Sequence, residues 1–203
     1  MALYRGPDDK IFEIERAITP FELFKEWGIK NALAALVDGT PADLHVLLSS
    51  EGTVTPITPD SAEGLQVLRH STSHLMAHAI SNLYPGAKFG VGPSIRDGFY
   101  YDVLFPNPIT DGDLPKIEAE MKRLSAEKIK IERVEIPSAE ALEKFSGDQF
   151  KTELINDIGA ESVSLYGQAN FWDLCRGPHV PNTGYIKHFT LLSLAGAYWR
   201  GNE

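Results

Sequence analysis

The sequence predicts an α+β protein made of two domains. Residues 1–61 contain short segments of alternating polar and apolar residues around one helical segment, the pattern of a small sheet packed on a helix. Residues 62–203 contain longer amphipathic helices and strands that are partly segregated along the chain. A length of 203 residues suits one large or two small domains, and residues 58–61 are the predicted linker.

The first domain is predicted to be a ubiquitin-like β-grasp. Gly6-Pro7-Asp8-Asp9 is a turn signal between strands at 2–6 and 10–15, which predicts a hairpin. Thr19 is placed as an N-cap with proline at the next position, and Gly28 ends this short helix. Three further strands are predicted at 33–37, 45–48 and 53–57.

The second domain is predicted to open with a long amphipathic helix. Ser61 is placed to cap it, apolar residues recur at helical spacing from Leu65 to Ile80, and Tyr84-Pro85-Gly86 ends it. The later predicted helices lie at 114–126, 137–144 and 150–158. The predicted strands lie at 88–92, 97–103, 128–135, 162–166, 171–174 and 188–197.

Three histidines and the only cysteine of the chain stand in two short spacings. His70 and His74 form an H-x3-H, and Cys175 and His179 form a C-x3-H. Residues four apart on a helix share one face, so the first pair can approach a common ligand. Three imidazoles and a thiol are a ligand set for zinc, or the lining of a polar pocket that manages protons.

Other polar residues are expected to join this group. Asp173 has the same strand parity as Cys175 and should face the same side. Tyr100 and Tyr101 would point to opposite sides of a strand, so that one reaches the site and the other packs. Lys151, near the start of the last helix, is placed to enter the pocket.

Composition restricts the partners and the compartment. The net charge of −9 argues against a protein that binds through phosphate contacts alone, so an RNA partner would require a local basic patch. The candidate residues for such a patch are Lys116, Lys122, Arg123, Lys128, Lys130 and Arg133. One cysteine excludes an intramolecular disulfide and fits a reducing cytoplasm, and no apolar run is long enough to span a membrane.

Four strings in this order closely resemble bacterial threonyl-tRNA synthetases, namely RHSTSHLMAHAI, GVGPSIRDGFYYDV, FWDLCRGPHVPNTG and LAGAYWRGNE. The resemblance covers most of residues 62–203 and lies in the region that precedes the aminoacylation core of those enzymes. The histidine and cysteine spacings are shared with the editing domain of alanyl-tRNA synthetase and its free-standing relatives. Residues 1–61 are similar to the small TGS domain that opens these synthetases.

The resemblance implies a function, since the corresponding domain hydrolyses serine wrongly attached to threonine tRNA. It implies catalytic roles for His70 and Lys151. It implies substrate binding by His74, Tyr101, Asp173, Cys175 and His179. Asp173 is expected to bind the α-amine of serine, and His78, His45 and His188 are expected to lie outside the site.

The resemblance also bears on cofactors and partners. The threonyl type implies a metal-free site, whereas in the alanyl type zinc would be held by His70, His74, Cys175 and His179. The sequence lacks ATP-binding class II motifs, so ATP and a further zinc are expected only in a catalytic core elsewhere. The expected partners are seryl-tRNA(Thr) and the remainder of a homodimeric synthetase, of which this chain would be a fragment that does not aminoacylate alone.

Three alternatives to this interpretation stay open. The chain could be a zinc-dependent editing module of the alanyl type, which stoichiometric zinc would favour. It could be a free-standing trans-editing protein. It could also be a non-catalytic module that positions tRNA, for which tRNA binding without deacylation would be the sign.

Overall fold

The computed structural model describes residues 2–7, 11–14, 16–48, 51–196 and 199. The chain divides into two compact units, Met1–Leu68 with Gly177–Pro181, and Arg69–Arg176 with Asn182–Glu203. Helices and mostly antiparallel sheets occur together, which confirms the predicted α+β class. Within the described ranges, no helix is both long enough and apolar enough to cross a membrane.

The first unit is a five-stranded sheet with one short helix. Its elements are β1 (Ala2–Arg5), β2 (Ile11–Ile14), α1 (Pro20–Glu26), β3 (Ala34–Val37), β4 (Thr40–Ala42) and β5 (Gly52–Ile57). The strand order is β2-β1-β5-β3-β4, with β1 and β5 parallel and the other pairs antiparallel. Tyr4, Leu23, Phe24 and Val54 are among the buried side chains of its core.

Local signals in the first unit are largely confirmed. The Thr19 hydroxyl accepts the N–H of Glu22, whose carboxylate accepts the N–H of Thr19 at 2.9 Å, so α1 begins with a capping box. The predicted strand at 45–48 is wrong, because only Leu48 pairs, through an isolated bridge to Ile18. The short strand β4 was missed because three residues with a central proline give no periodicity. The predicted turn at 8–9 and the ends of the predicted second strand, Lys10 and Glu15, lie outside the described residues.

Helix α2 (Ala62–Leu83) begins directly after the predicted linker. Ser61 caps it as expected, since its hydroxyl accepts the N–H of Gly64 at 2.9 Å. The predicted boundary between residues 61 and 62 itself stays a prediction. From Arg69 onwards this helix belongs to the second unit and carries the H-x3-H pair.

The segment after α2 folds as two nested pairs of very short strands. Strand β6 (Lys88–Phe89) pairs with β9 (Val103–Leu104), and β7 (Ser94–Ile95) pairs with β8 (Gly98–Phe99). Two longer strands were predicted here. Tyr100 and Tyr101 therefore lie outside any strand, and their opposite directions do not come from strand alternation.

A three-stranded antiparallel sheet forms the rest of the second unit with three helices. Its strands, in spatial order, are β10 (Ile131–Pro137), β11 (Ser162–Gln168) and β12 (Phe171–Leu174). The helices are α3 (Leu114–Ala126), α4 (Ser138–Lys144) and α5 (Gln149–Ile158), each within one residue of its predicted bounds. Gly159 ends α5 in the left-handed conformation at φ 61°, where glycine is unstrained. The predicted strand at 188–197 is not formed over 188–196, and Ala197 is not described.

Candidate functional site

The H-x3-H pair lies on one face of α2, as the spacing predicts. The rings of His70 and His74 are 4.8 Å apart between centroids and meet edge to face. His74 is buried, with 3% of its surface exposed, whereas His70 is half-buried. Ser73 fixes the neighbouring loop to this helix, since its hydroxyl lies 2.7 Å from the carbonyl oxygen of Gly92.

Cys175 is brought to this face by the end of β12. Its backbone N–H donates to the carbonyl of Ser164 at 3.2 Å, and its carbonyl accepts from the Ser164 hydroxyl at 2.5 Å. The thiol sulfur then lies 2.9 Å from Nε2 of His70. The ligand atoms of His70, His74 and Cys175 lie within 4.8 Å of one another, so this group could hold a metal ion.

His179, the fourth predicted ligand, lies in the segment that belongs to the first unit. Its backbone N–H donates to the carboxylate of Asp43 at 2.9 Å, which fixes the position of this segment in that unit. Its membership of the site stays a prediction.

A buried polar cluster stands behind the histidine face. Lys151 and Asp173 form an ion pair with 3% and 1% of their side-chain surfaces exposed. The Tyr101 hydroxyl donates to Oδ2 of Asp173 and accepts from Nζ of Lys151 at 3.2 Å. Lys151 also donates to the Gly90 carbonyl at 2.9 Å, and Nδ1 of His74 lies 3.7 Å from Oδ2 of Asp173. The cluster thus links α5, β12 and α2 through satisfied charges.

Tyr101 is packed between this cluster and the loop that contains Gly90 and Gly92. A Cβ atom on Gly92 would collide with the Tyr101 ring, so only glycine permits this approach. The ring also meets Phe89 edge to face at 5.7 Å. Burial, followed by the negative charge of Asp173, raises the pKa of Tyr101 well above its ordinary value. The phenol therefore stays protonated and remains a hydrogen-bond donor to Asp173.

His74 is held in its neutral form. Burial is the main cause that lowers its pKa well below 6.5, and proximity to His70 and to the Lys151 cation adds to the effect. A neutral imidazole has one donor and one acceptor nitrogen. Its Nδ1 lies 3.7 Å from Oδ2 of Asp173, which is too far for a direct hydrogen bond but close enough for the carboxylate to favour a proton on that nitrogen.

A cavity of about 480 Å³ opens in front of these groups. His70, His74, Tyr101 and Cys175 are among its lining residues. Its apolar walls come from Val91, Pro93, Leu154, Ile158, Val163 and Leu174, and its other side chains are Arg133, Glu135, Ser162, Ser164 and Arg176. Ligand sites in proteins commonly combine such a mainly apolar wall with a few convergent polar groups.

The structure separates the predicted site residues into two layers. His70, His74, Tyr101 and Cys175 face the cavity, whereas Lys151 and Asp173 are not among its described lining residues and lie behind Tyr101. Tyr101 is thus the tyrosine that reaches the site. Tyr100 does not pack as predicted, since it is 44% exposed.

The other histidines lie elsewhere. His78 is buried away from the cavity, with its ring stacked on Phe171 and Nε2 3.2 Å from Oδ1 of Asn170. The ring of His45 lies against Phe21, and His188 is exposed. Their exclusion from the site stays a prediction about function.

Sequence reasoning missed the wall that β10 and β11 contribute. Arg133 and Glu135 alternate along β10, as Ser162 and Ser164 do along β11, and Glu135 is paired with Ser164. Alternate residues of a strand share one face, so this parity is the signal that could have identified them.

The predicted basic patch is largely neutralised by acids. Lys122 pairs with Glu118 at 3.4 Å, Arg123 with Glu120 at 2.7 Å, and Lys130 with Glu132 at 2.9 Å. Such pairs contribute little to stability, but they cancel the local positive potential. The exposed face of α3 therefore supplies little net charge for RNA.

Comparison with known proteins first defines a class of domain. Residues 163–203 match the family described as the second additional domain of threonyl and alanyl tRNA synthetases. This segment includes Cys175 and the wall formed by Ser164, Val163 and Leu174.

Whole-chain comparison then points to particular enzymes. The chain is 48% identical, over 97% of its length, to a threonine–tRNA ligase of Halalkalibacterium halodurans, of which it covers 32%. It is 46% identical over 97% of its length to that of Thermotoga maritima, covering 31%, and 51% identical over 86% to that of Geobacter sp. strain M21, covering 28%. The chain spans about a third of the length of these curated relatives. These identities confirm that the chain resembles threonyl-tRNA synthetases. The resemblance of residues 1–61 to TGS domains stays a prediction.

Proposed function

We propose that this chain is the editing region of a threonyl-tRNA synthetase and hydrolyses seryl-tRNA(Thr) to serine and tRNA(Thr). The observation that supports this most is the cavity faced by His70, His74 and Cys175, in a chain nearly half identical to threonine–tRNA ligases. Threonine and serine differ by one methyl group, which binding alone discriminates by only about 10–200-fold. A second, hydrolytic site supplies the remaining accuracy.

His70 is the group proposed to activate the attacking water. It faces the cavity, and its Nε2 is within hydrogen-bond distance of the Cys175 thiol. The ester of an aminoacyl-tRNA is already activated, so a positioned water and a base suffice. Water attacks the ester carbonyl while His70 takes its proton, and the C–O bond to the ribose then breaks as that proton passes to the departing ribose oxygen. Cys175 orients His70 and needs no covalent role.

Lys151 is proposed to act through Tyr101 and Asp173. Its ammonium is 3% exposed and bonded to the Gly90 carbonyl and the Tyr101 hydroxyl, which leaves it behind the wall that substrate would touch. From there it fixes the Tyr101 ring and balances the charge of Asp173. A positioning role fits this geometry better than direct activation of water.

The α-amine of serine is proposed to meet His74. The sequence predicted Asp173 as the amine partner, but this carboxylate is 1% exposed and is already paired with Lys151 and Tyr101. Asp173 can instead act on His74 through its charge, because Oδ2 lies 3.7 Å from Nδ1 and favours a proton there, so that the imidazole accepts from the ammonium through its other nitrogen. Threonine would then be excluded by contact of its methyl group with the close-packed wall in the reactive pose.

Zinc-dependent editing is the second candidate. The donor set of His70, His74 and Cys175 fits zinc, which would lower the pKa of a bound water. However, ligands on one tetrahedral zinc stand about 3.5 Å apart, given its usual bond lengths. Nε2 of His70 and the sulfur of Cys175 are closer, at 2.9 Å, and contact each other directly, which supports the metal-free site as the first candidate. Metal analysis of the purified chain, before and after dialysis against a chelator, decides between them.

The first unit is proposed to be a TGS-type β-grasp domain. The strand order β2-β1-β5-β3-β4 with a parallel central pair and one helix supports this. The remainder of a homodimeric, cytoplasmic synthetase is the proposed partner. A free-standing trans-editing protein would need no such partner.

Deacylation assays test the proposal. The full chain, at saturating concentration, should hydrolyse seryl-tRNA(Thr) and spare threonyl-tRNA(Thr), with buffer alone as the control. Equal rates on the two substrates would exclude editing by this site. Binding of both charged tRNAs with no hydrolysis of either would instead identify a non-catalytic positioning module.

A further inference from the structure

Two arginines line the cavity, and neither belongs to the groups that handle the ester. Arg176 directly follows Cys175, and Arg133 projects from β10. Arg176 is exposed and makes no hydrogen bond or ion pair with any other described residue. It is thus a guanidinium that lines a ligand cavity with all its donors available.

Arg133 is oriented by its neighbours. Its Nη2 lies 3.2 Å from Oε2 of Glu135, and Oε1 of Glu135 accepts from the Ser162 hydroxyl at 2.8 Å. The pKa of Glu135 is lowered, first by the hydrogen bond from Ser162 and then by the contacts with Arg133. The carboxylate therefore stays ionised and remains paired with Arg133. A guanidinium has five N–H donors, and this contact leaves several of them available.

The cavity is larger than a seryl group needs, which indicates that these two arginines contact another part of the ligand. About 480 Å³ is several times what a seryl group fills, and such volumes suit much larger ligands. In any aminoacyl-tRNA the ester is attached to the terminal ribose, which continues through a phosphodiester to the preceding nucleotide. With the ester at His70 and Cys175, which are half-buried, the nucleotide would extend toward the exposed part of the cavity lining, where Arg176 lies.

We propose that Arg176, assisted by Arg133, binds the phosphodiester group that precedes the terminal nucleotide of the RNA substrate. This inference rests on the proposed function for the identity of the ligand. Arginine matches phosphate with paired, charge-assisted hydrogen bonds. The overall charge of −9 repels RNA, and Lys122 and Arg123 of α3 are paired with acids, so an unpaired guanidinium at the cavity gives a local attraction for phosphate.

Binding of two non-hydrolysable probes to the full chain tests this proposal. The first is a serine amide of 3′-amino-adenosine, and the second carries the same group at the end of a cytidine–adenosine dinucleotide, which adds the phosphodiester. The wild-type chain should bind the dinucleotide more tightly. In Arg176→Ala the ratio of the two dissociation constants should fall by about ten-fold or more, the effect of losing a hydrogen bond to a charged group.

Charge and geometry can be separated with further variants. Arg176→Lys keeps the charge and should restore part of the ratio, because an ammonium cannot form the paired contact. The salt dependence of dinucleotide binding should drop by about 0.7 in log–log slope in Arg176→Ala, the value for one phosphate on a single strand. Arg96→Ala is the matched control, since this side chain is 94% exposed and does not line the cavity.

The outcomes distinguish this inference from the proposed function. If Arg176→Ala weakens both probes equally, or changes neither, the phosphate site is excluded even where wild-type deacylation is selective. If the chain deacylates no tRNA and the ratio still depends on Arg176, the anion site stands and editing fails. An Arg96→Ala effect as large as that of Arg176→Ala would reduce the proposal to general surface charge and overturn it.

Discussion

Replacing Lys151 with methionine should destabilise the second unit strongly. Methionine keeps much of the side-chain length but leaves the carboxylate of Asp173 buried without its cation. Removing one partner of a buried ion pair costs about 3–5 kcal/mol, because the remaining charge is desolvated and uncompensated. Asp173 is only 1% exposed, so water cannot replace the lost ammonium without a rearrangement. Asp173→Asn should cost a similar amount by stranding Lys151.

The double variant tests whether the pair is the cause. If each loss comes from a stranded charge, combining Lys151→Met with Asp173→Asn should cost no more than the larger single change, instead of the sum. Tyr101 and the N–H of Leu174 still offer polar contacts to an asparagine at this position. A double variant that costs several kcal/mol less than the sum of the single changes would identify the pair as an interdependent unit that supports Tyr101.

Urea unfolding, with amide hydrogen exchange of β11 and β12, measures these changes for the second unit by itself. Lys122→Met is the matched control, because its pair with Glu118 is exposed at the lysine and should contribute well under 1 kcal/mol. The deacylation rate of Lys151→Met, measured on protein that is still folded, should also fall through loss of Tyr101 positioning. Single changes below about 1 kcal/mol, or costs that simply add, would refute the reasoning.

Three further predictions follow from the same site. In single-turnover assays, His70→Ala should reduce the deacylation rate by about 10²-fold or more. His78→Ala, which lies outside the cavity, should reduce it far less. Comparable losses in the two variants would mean that the base is misassigned. Seryl- and threonyl-tRNA should bind with similar affinity yet differ widely in hydrolysis rate, and weak binding of threonyl-tRNA with equally fast hydrolysis would argue against exclusion in the reactive pose. Because the pKa of His74 is depressed in the folded chain, the unfolded chain takes up the proton first, and stability should decrease as the pH falls below 6.5. In urea titrations from neutral pH to about pH 5, His74→Gln should flatten this dependence and His188→Gln should not; identical slopes in all three proteins would contradict the assignment.

Local signals predicted most helices because their causes are local. Thr19 with Pro20, Ser61 before α2, and Gly159 after α5 each act within a turn of the backbone, and each is found in its predicted role. The segments at 45–48 and 188–196 failed for the opposite reason. Their apolar residues suit a strand, but strand formation depends on a partner edge that no local pattern specifies.

In the candidate site, too, the features with local causes were predicted and those that depend on long-range packing were not. The spacing of His70 and His74 fixes their common face, and the C-x3-H string marked Cys175. The sequence did not reveal how deeply each polar side chain is buried behind the cavity wall. The placement of Lys151 behind Tyr101 results from the packing of α5 against the loop at Gly90, a long-range contact. The same sequence motif would be compatible with a lysine that touches substrate.

The electrostatics of the site follow from how its charges are neutralised. Burial keeps His74 and Tyr101 uncharged, and the charges of Lys151 and Asp173 cancel each other behind them. The inner wall therefore presents an imidazole acceptor, a phenol ring and a thiol, with no net charge to attract one amino acid over another. Serine and threonine esters carry the same ammonium and the same RNA, so a charged wall could not separate them. In the proposed editing reaction, discrimination would therefore come from shape near the methyl group, and attraction of the RNA would come from outside this wall, where Arg176 lies.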